Sequence, residues 1–430
     1  MIEPNPPLPG VAGVSPTSAQ TNAGSRKSRR LLFVLLLLLL LGGCASMPND
    51  GVRQAFLQGQ PEAALAQLDQ QEHSTRNALL ELLERGLILH NLGKYEDSTK
   101  AFLKAEKKLD EWDYVSVSDQ AKTLVTSDWA GIYKGEYSER LWIHSYQMMN
   151  YLLLGDPEKA AVEARMALKV LDGHGDSLKK DLFTRALIAL SFESAGKYND
   201  AFIEYRKLAD LLPTEKLIAR ELYWTALRSG ITSAAEKYRA MLSTSKMKTD
   251  PDELGEIIIF VAHGVLPQKQ PADLLVAPDI RISFPQYPLV DTVKPRYIVE
   301  ADGRRAQVEE TTTLLLDVAR EALHARGKQM LAKQAARASL KHNLAHELKK
   351  ENEAAGQILS LLFFLLEEAD TRGWSTLPET LSLLRIPLAP GTHDIVVTAK
   401  DGTPNGRKIL QLDGVTIERG QRLFRKLRID

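Results

Sequence analysis

Three groups of side chains have the types and spacing that chemistry needs. Asp370, Arg372 and Trp374 alternate where a helical pattern gives way to the extended Leu377-Pro378 segment. An acid–guanidinium pair beside an indole can hold a carboxylate-bearing or planar ligand. The same residues also suit an architectural task, with Asp370 and Arg372 tying backbone groups at a helix end and Trp374 plugging a core, and the local pattern favours that reading. His342 and His346 stand one helical turn apart with Glu347 adjacent. Two such ligands can face one ion, but a catalytic zinc needs a third, and this glutamate is not where a zincin places its base. No metal and no cofactor are therefore expected. Arg419, Arg422, Arg425, Lys426 and Arg428 form a basic edge, with Leu423, Leu427 and Ile429 alternating inward. Such an edge can meet anionic peptidoglycan or lipopolysaccharide, or simply deter strand pairing. No phosphate loop, GxSxG elbow, HExxH helix or acidic calcium loop occurs, so no catalytic residue is assigned and no enzyme is expected.

Covalent modification is expected at Cys44, the single cysteine of 430 residues. Arg26, Lys27, Arg29 and Arg30 precede the apolar run Leu31 to Leu41. That run is too short for a bilayer span of about 20 residues but matches an export-signal core of about 7–15. Gly42 and Gly43 let a peptidase approach the backbone. The order Leu41-Gly42-Gly43-Cys44 resembles the lipobox of bacterial lipoproteins, the alternative being a spare cysteine after an ordinary signal peptide. The resemblance implies removal of residues 1–43 as a signal peptide and acylation of Cys44, which anchors the chain to a membrane through its N-terminal lipid. Ala45, in place of the aspartate that favours inner-membrane retention, implies the periplasmic face of the outer membrane.

The remaining chain is long enough for two domains. Its 55 basic and 55 acidic residues balance, which argues against nucleic acid as a partner. Residues 44–245 read as an all-α helical repeat. Gly86, Gly93, Tyr95, Ser98, Phe102 and Ala105 align with Ala189, Phe192, Gly196, Tyr198, Ala201 and Tyr205, and between them with Tyr151, Gly155, Ala160, Ala164 and Ala167. Small residues five after each glycine let two antiparallel helices approach, and aromatics fill the adjoining holes. Gly230 falls 34 residues after Gly196. These offsets resemble the tetratricopeptide pattern, whose period is 34 residues. The longer intervals between Gly93, Gly155 and Gly196 require an insertion over Trp112 to Tyr137 and a long turn over Asp172 to Lys180. A weaker helical pair, Val52–Leu57 and Pro61–Gln70, precedes the array.

Residues 250–430 read as a mixed α/β domain ending in a small β-sandwich, so the fold class is α+β multidomain. Strands are expected at Glu256–Ala262, Ile280–Phe284 and Arg296–Val299. Three helices follow at Thr313–His324, Gln329–Lys349 and Glu353–Ala369. The last is apolar nearly all round and is expected to be the domain's central buried helix, with membrane contact as the alternative. Strands at Leu381–Ile386, His393–Ala399, Arg407–Leu412 and Arg422–Ile429 close the chain, joined by turns that include Asp401-Gly402.

Ala336-Arg337-Ala338 with Lys341, the run Glu368 to Trp374, Leu377-Pro378, Leu388 to His393, and Tyr133 to Leu171 together resemble an uncharacterised family of Gram-negative, tetratricopeptide-containing outer-membrane lipoproteins. The resemblance implies an envelope protein and hands over no catalytic residues. The expected function is a lipid-anchored periplasmic scaffold that binds a protein partner through the groove of its helical array, where Tyr146 and Tyr151 are candidates. Analogy with other envelope lipoproteins built from these repeats points to a peptidoglycan synthase or an outer-membrane assembly component as partner. The alternatives are a cell-wall or lipid-acting enzyme and a peptidoglycan-binding protein, each using the C-terminal domain.

Overall fold

A computed structural model describes residues 49–71, 74–114, 129, 131–243, 253–277, 280–400 and 406–429. The expected export segment with Cys44, the expected Asp401-Gly402 turn and most of the expected Trp112–Tyr137 insertion lie outside them.

The chain opens with helical hairpins: α1 (Asp50–Leu57) and α2 (Pro61–Gln70), α3 (Ala78–Asn91) and α4 (Tyr95–Tyr114), α5 (Tyr137–Leu153) and α6 (Pro157–Leu178), α7 (Leu182–Ser194) and α8 (Tyr198–Ala209), then α9 (Ala219–Arg228) and α10 (Thr232–Ser243). Local chemistry sets the boundaries. Gly93, Gly155, Gly196 and Gly230 follow first helices with φ between 70° and 76°, a left-handed stop that costs glycine little. Asp156 accepts from the Lys159 amide, and Pro157 occupies the first turn of α6. Ser98, Ala160, Ala201 and Ala235 are buried where paired helices cross. A Cβ built on Gly86 would lie 2.4 Å from the Phe102 ring, so no larger residue fits that crossing as it stands.

Two expectations for the helices fail. Asp172–Lys180 is not a long turn: α6 runs on to Leu178 with only a kink at His174, whose ring stacks on Tyr137 at 3.6 Å. Thr313–His324 and Gln329–Lys349 are not separate helices. They form one 37-residue helix, because Gly327 sits in open space and demands no break.

The second half runs β1 (Gly255–His263), β2 (Gln270–Ala277), β3 (Ile280–Gln286), β4 (Arg296–Ala301), β5 (Arg304–Arg305), β6 (Glu309–Leu314), α11 (Leu315–Glu351), α12 (Glu353–Leu365), β7 (Thr380–Leu388), β8 (Gly391–Lys400), β9 (Arg407–Ile417) and β10 (Arg422–Ile429). One sheet has the order β10-β1-β7-β6 and another β5-β4-β8-β9, while β2 and β3 form a separate hairpin. Ile257, Ile259, Leu384 and Ile386 of the first sheet pack with Val299, Ile395 and Val397 of the second. The sandwich thus draws on strands from the whole second half, not on a terminal cluster alone.

Alternate residues of the first sheet, Ile258, Phe260, Leu381 and Leu383, join the core of the helical array. That sheet is therefore a middle layer covered on both faces, which is why β1 reads as an unbroken apolar run. Residues 48–430 form one compact unit. Helix α12 is not the central buried helix: only Gly356 is buried, and Leu361, Leu365 and Leu366 are exposed. It pairs with α11 at a crossing where the Lys349 backbone lies 2.5 Å from a Cβ built on Gly356.

Candidate functional site

The Asp370, Arg372 and Trp374 cluster is closed. Arg372 forks onto Asp370, with Nε to Oδ1 and Nη2 to Oδ2 both 2.7 Å, and also donates to Asn77 Oδ1 and the Gly131 carbonyl. Its guanidinium is buried and lies over the Tyr133 ring. Trp374 is 2% exposed, with Phe102 and Tyr146 each 5.6 Å from its ring. The Trp374 amide donates to Glu139, and Ser375 and Thr376 donate to Glu84. Burial raises the Glu84 carboxyl, against the pull of those hydroxyls and amides.

This segment lies along the first helices of the array. Thr313 bonds Asp181 and the Phe183 amide, and Arg385 bonds Glu193. The side that an open solenoid offers to partners is therefore occupied over α3, α5 and α7 by the chain's own second half. Tyr146, expected to line a free groove, is buried beneath Trp374, whereas Tyr151 is half-buried with Lys159 over its ring.

An open pocket of about 380 Å³ remains where α7, α8 and α9 meet the ends of β1, β7 and β10. Tyr198, Trp224 and Phe424 are among its walls, and Glu193, Arg220, Glu256, Arg385 and Arg422 line its charged base. Arg385 grips Glu256 with two bonds of 2.7 and 2.8 Å, reaches Glu193 at 3.0 Å and donates to Tyr205 Oη, which donates to Glu193. Arg220 bridges Glu221, Glu256 and Glu309 at 3.1, 2.9 and 2.6 Å. Arg422 pairs with Glu193. The Arg220 Nε–H has no acceptor.

Three guanidiniums thus meet four carboxylates. Burial acts against every charge here. Even so, Arg385 and Arg422 hold Glu193 down to about 2, and Arg385 and Arg220 push Glu256 lower still. Glu309 goes the other way: burial and the neighbouring Glu221 carboxylate raise it well above the usual range, against the pull of Arg220. The base is a hydrogen-bonded ring of ion pairs, with no histidine or cysteine among the pocket residues.

The structure does not bring the sequence candidates together. Tyr198 and Gly155 of the repeat pattern line the pocket, Tyr205 lies beneath it in the Arg385 network, and Tyr95 packs on His90. Gly86, Phe102, Ala105, Ala160 and Ala201 are helix-crossing residues within the core. His342 and His346 are exposed on α11, facing a groove shared with Ser360 and Phe364 of α12. On the basic edge, Arg422 joins the pocket, Lys426 donates to the Asn91 carbonyl and Arg428 to that of Gly264, so these three cations hold β10 to its surroundings. Glu193, Arg220, Glu221, Glu256, Glu309 and Arg385 were missed. Their signal was present: Arg385 interrupts the mainly apolar strand Leu381–Ile386, and Glu193 follows the mainly apolar stretch Ala186 to Phe192.

No protein-family model matches the chain, and no curated protein matches its sequence. Among solved structures, it is similar to MamA from Desulfovibrio magneticus RS-1 (residues 41 to the end) at 18% identity and a TM-score of 0.30, over 46% of this chain and 93% of that one. A second MamA structure, from AMB-1, matches at 11% identity and a TM-score of 0.33, over 47% of this chain and 91% of that one.

Proposed function

We propose that this chain is a non-enzymatic scaffold of the bacterial envelope, held by an acylated Cys44 at the periplasmic face of the outer membrane, that binds a protein partner at the end of its helical array. The observation that carries this reading is the filled inner face. The chain's own β-strands and the Asp370–Trp374 segment occupy the first helices as far as Arg385, and the array opens at the pocket walled by Tyr198, Trp224 and Phe424. Aromatic walls over a polar, ion-paired base suit an inserted side chain or chain end from a partner. Catalysis through the second half loses its best candidates, because Asp370 and Arg372 are locked to each other with the Arg372 side chain buried. A peptidoglycan synthase or an outer-membrane assembly component fits the proposed location and is the class of partner to look for.

In-cell photo-crosslinking tests this reading, with the probe placed in turn at Trp224, at Tyr198 and at exposed Leu103 on α4. Adducts to one protein from positions 224 and 198, absent from 103 and lost when Arg422 is replaced by alanine, are expected. Adducts from 103 alone would refute the pocket as the docking point. Labelling with a palmitate analogue tests the anchor. Incorporation that disappears in Cys44→Ser is expected, and an unlabelled wild-type chain would refute it.

A further inference from the structure

Helices α4, α5 and α6 meet at a second polar cluster, separate from the pocket. The His144 Nδ1 lies 2.9 Å from Glu106 Oε1 on α4 and 2.9 Å from Glu163 Oε2 on α6. Gln147, one turn along α5 from His144, turns its Nε2 onto the same two oxygens at 2.6 and 3.1 Å. His144, Gln147 and Glu163 are buried, and Glu106 is partly open to solvent. One ligand atom from each of Glu106, His144 and Glu163 falls within 4.8 Å of the others. The Gln147 Oε1, buried with the rest, has no hydrogen-bond partner.

We propose that Glu106, His144, Glu163 and the side-chain oxygen of Gln147 form a binding site for one divalent first-row transition cation of the zinc type. An imidazole with two carboxylates is a donor set such ions favour. Bonds of about 2.0–2.2 Å from a central ion place neighbouring donors about 3.0–3.5 Å apart, so the present spacing needs only a small expansion. The orphaned amide oxygen is the second, independent sign. With two carboxylates and no metal ion between them, electrostatics turn the amide nitrogen inward and strand the oxygen. With a cation in the centre, a half-turn of the amide makes that oxygen a ligand and frees the nitrogen. On binding, the Nδ1 proton leaves His144 for solvent and the nitrogen lone pair takes the metal. Glu106 provides the path of entry. The ion would join three helices from two adjacent repeat units, and the separation of its ligands, from Glu106 to Glu163, explains why no short sequence motif announces it. This inference is independent of the docking pocket.

The test uses the full chain in detergent, stripped with a chelator and titrated with zinc chloride by calorimetry, with the zinc retained after gel filtration measured by mass spectrometry. Because His342 and His346 are an alternative zinc-binding pair, the experiment is repeated in His342→Ala/His346→Ala. One zinc per chain, kept in that double variant and accompanied by a higher Tm, is expected. Glu163→Gln, which preserves size and hydrogen bonding, is expected to weaken binding at least tenfold with an unchanged circular dichroism spectrum. His144→Gln is expected to abolish it. Zinc binding lost in the His342/His346 variant, or unaltered in folded Glu163→Gln, overturns the proposal, as does the absence of retained zinc in the wild type.

Discussion

Replacing Gly86 with alanine tests the helix crossing on which the repeat depends. In an unconstrained helix interior the change is favourable by about 1 kcal/mol. Here the new Cβ lands 2.4, 2.5 and 2.7 Å from three carbons of the Phe102 ring. The ring cannot retreat easily, because it is fully buried with Tyr146 at 6.0 Å and Trp374 at 5.6 Å between ring centres. Overpacking of this kind costs about 1–3 kcal/mol, so a net loss of up to about 2 kcal/mol is expected once the propensity gain is subtracted. Urea unfolding followed by tryptophan fluorescence reads this directly, since Trp142 and Trp374 lie in the same core. The midpoint should fall with little change in slope, and Phe102→Leu added to Gly86→Ala should recover part of the loss. Gly327→Ala, also in a helix but with open space around its Cβ, should raise the midpoint or leave it unchanged. If Gly86→Ala behaves like Gly327→Ala, the crossing is looser than the geometry requires and the reasoning is refuted.

Arg385→Met should destabilise by about 3–5 kcal/mol, because it leaves Glu193 and Glu256 buried without their shared cation; chemical denaturation at pH 7 measures it, and a loss under 1 kcal/mol would contradict the network. Glu193 is lowered from 4.5 to about 2 on folding, so its contribution is full above pH 4.5 and is lost as pH falls towards 2. The amount is on the order of 3 kcal/mol, and Glu193→Gln should flatten the stability profile over that window. Trp374→Ala should cost about 3–5 kcal/mol by opening a cavity against Phe102 and Tyr146, a drop visible as a lower Tm by calorimetry.

The helical hairpins were legible in the sequence because their signals are local. A glycine in a left-handed turn, a small residue five positions later and an aromatic on the second helix all fall within one unit, and Asp156-Pro157 marks a helix start. The middle sheet was legible only in part. β1 announces itself by Ile257 to Val261, but nothing near it reveals that its parallel neighbour is β10, about 170 residues downstream. Charges misled in two ways. Arg422 reads as part of a solvated edge, yet it reaches into the pocket and pairs with Glu193. The residues of that pocket come from positions 152 to 424, so no spacing within one element could have collected them. Helix α12 was misread because an apolar run of that length satisfies the criterion for burial, and only the fold shows that α11 and the β2–β3 hairpin leave much of it exposed.

The filled inner face also accounts for many of the buried ionisable groups. The first helix of each repeat unit carries polar residues on the face that a partner would otherwise contact: Glu84 on α3, Glu139 on α5, Glu193 on α7, and Arg220 with Glu221 on α9. Each of these sites bonds to the second half, through Ser375 and Thr376, the Trp374 amide, Arg385, and Glu256 with Glu309 respectively. Unpaired, such groups would be costly inside the core. Paired, they set the register in which sheet and array can meet, since sliding the sheet by one residue would turn Arg385 to the opposite face and leave Glu193 and Glu256 without a cation. The same registry forms the open pocket, because it places Arg385 and Arg422 beneath Trp224 where the chain's own coverage of the array gives out.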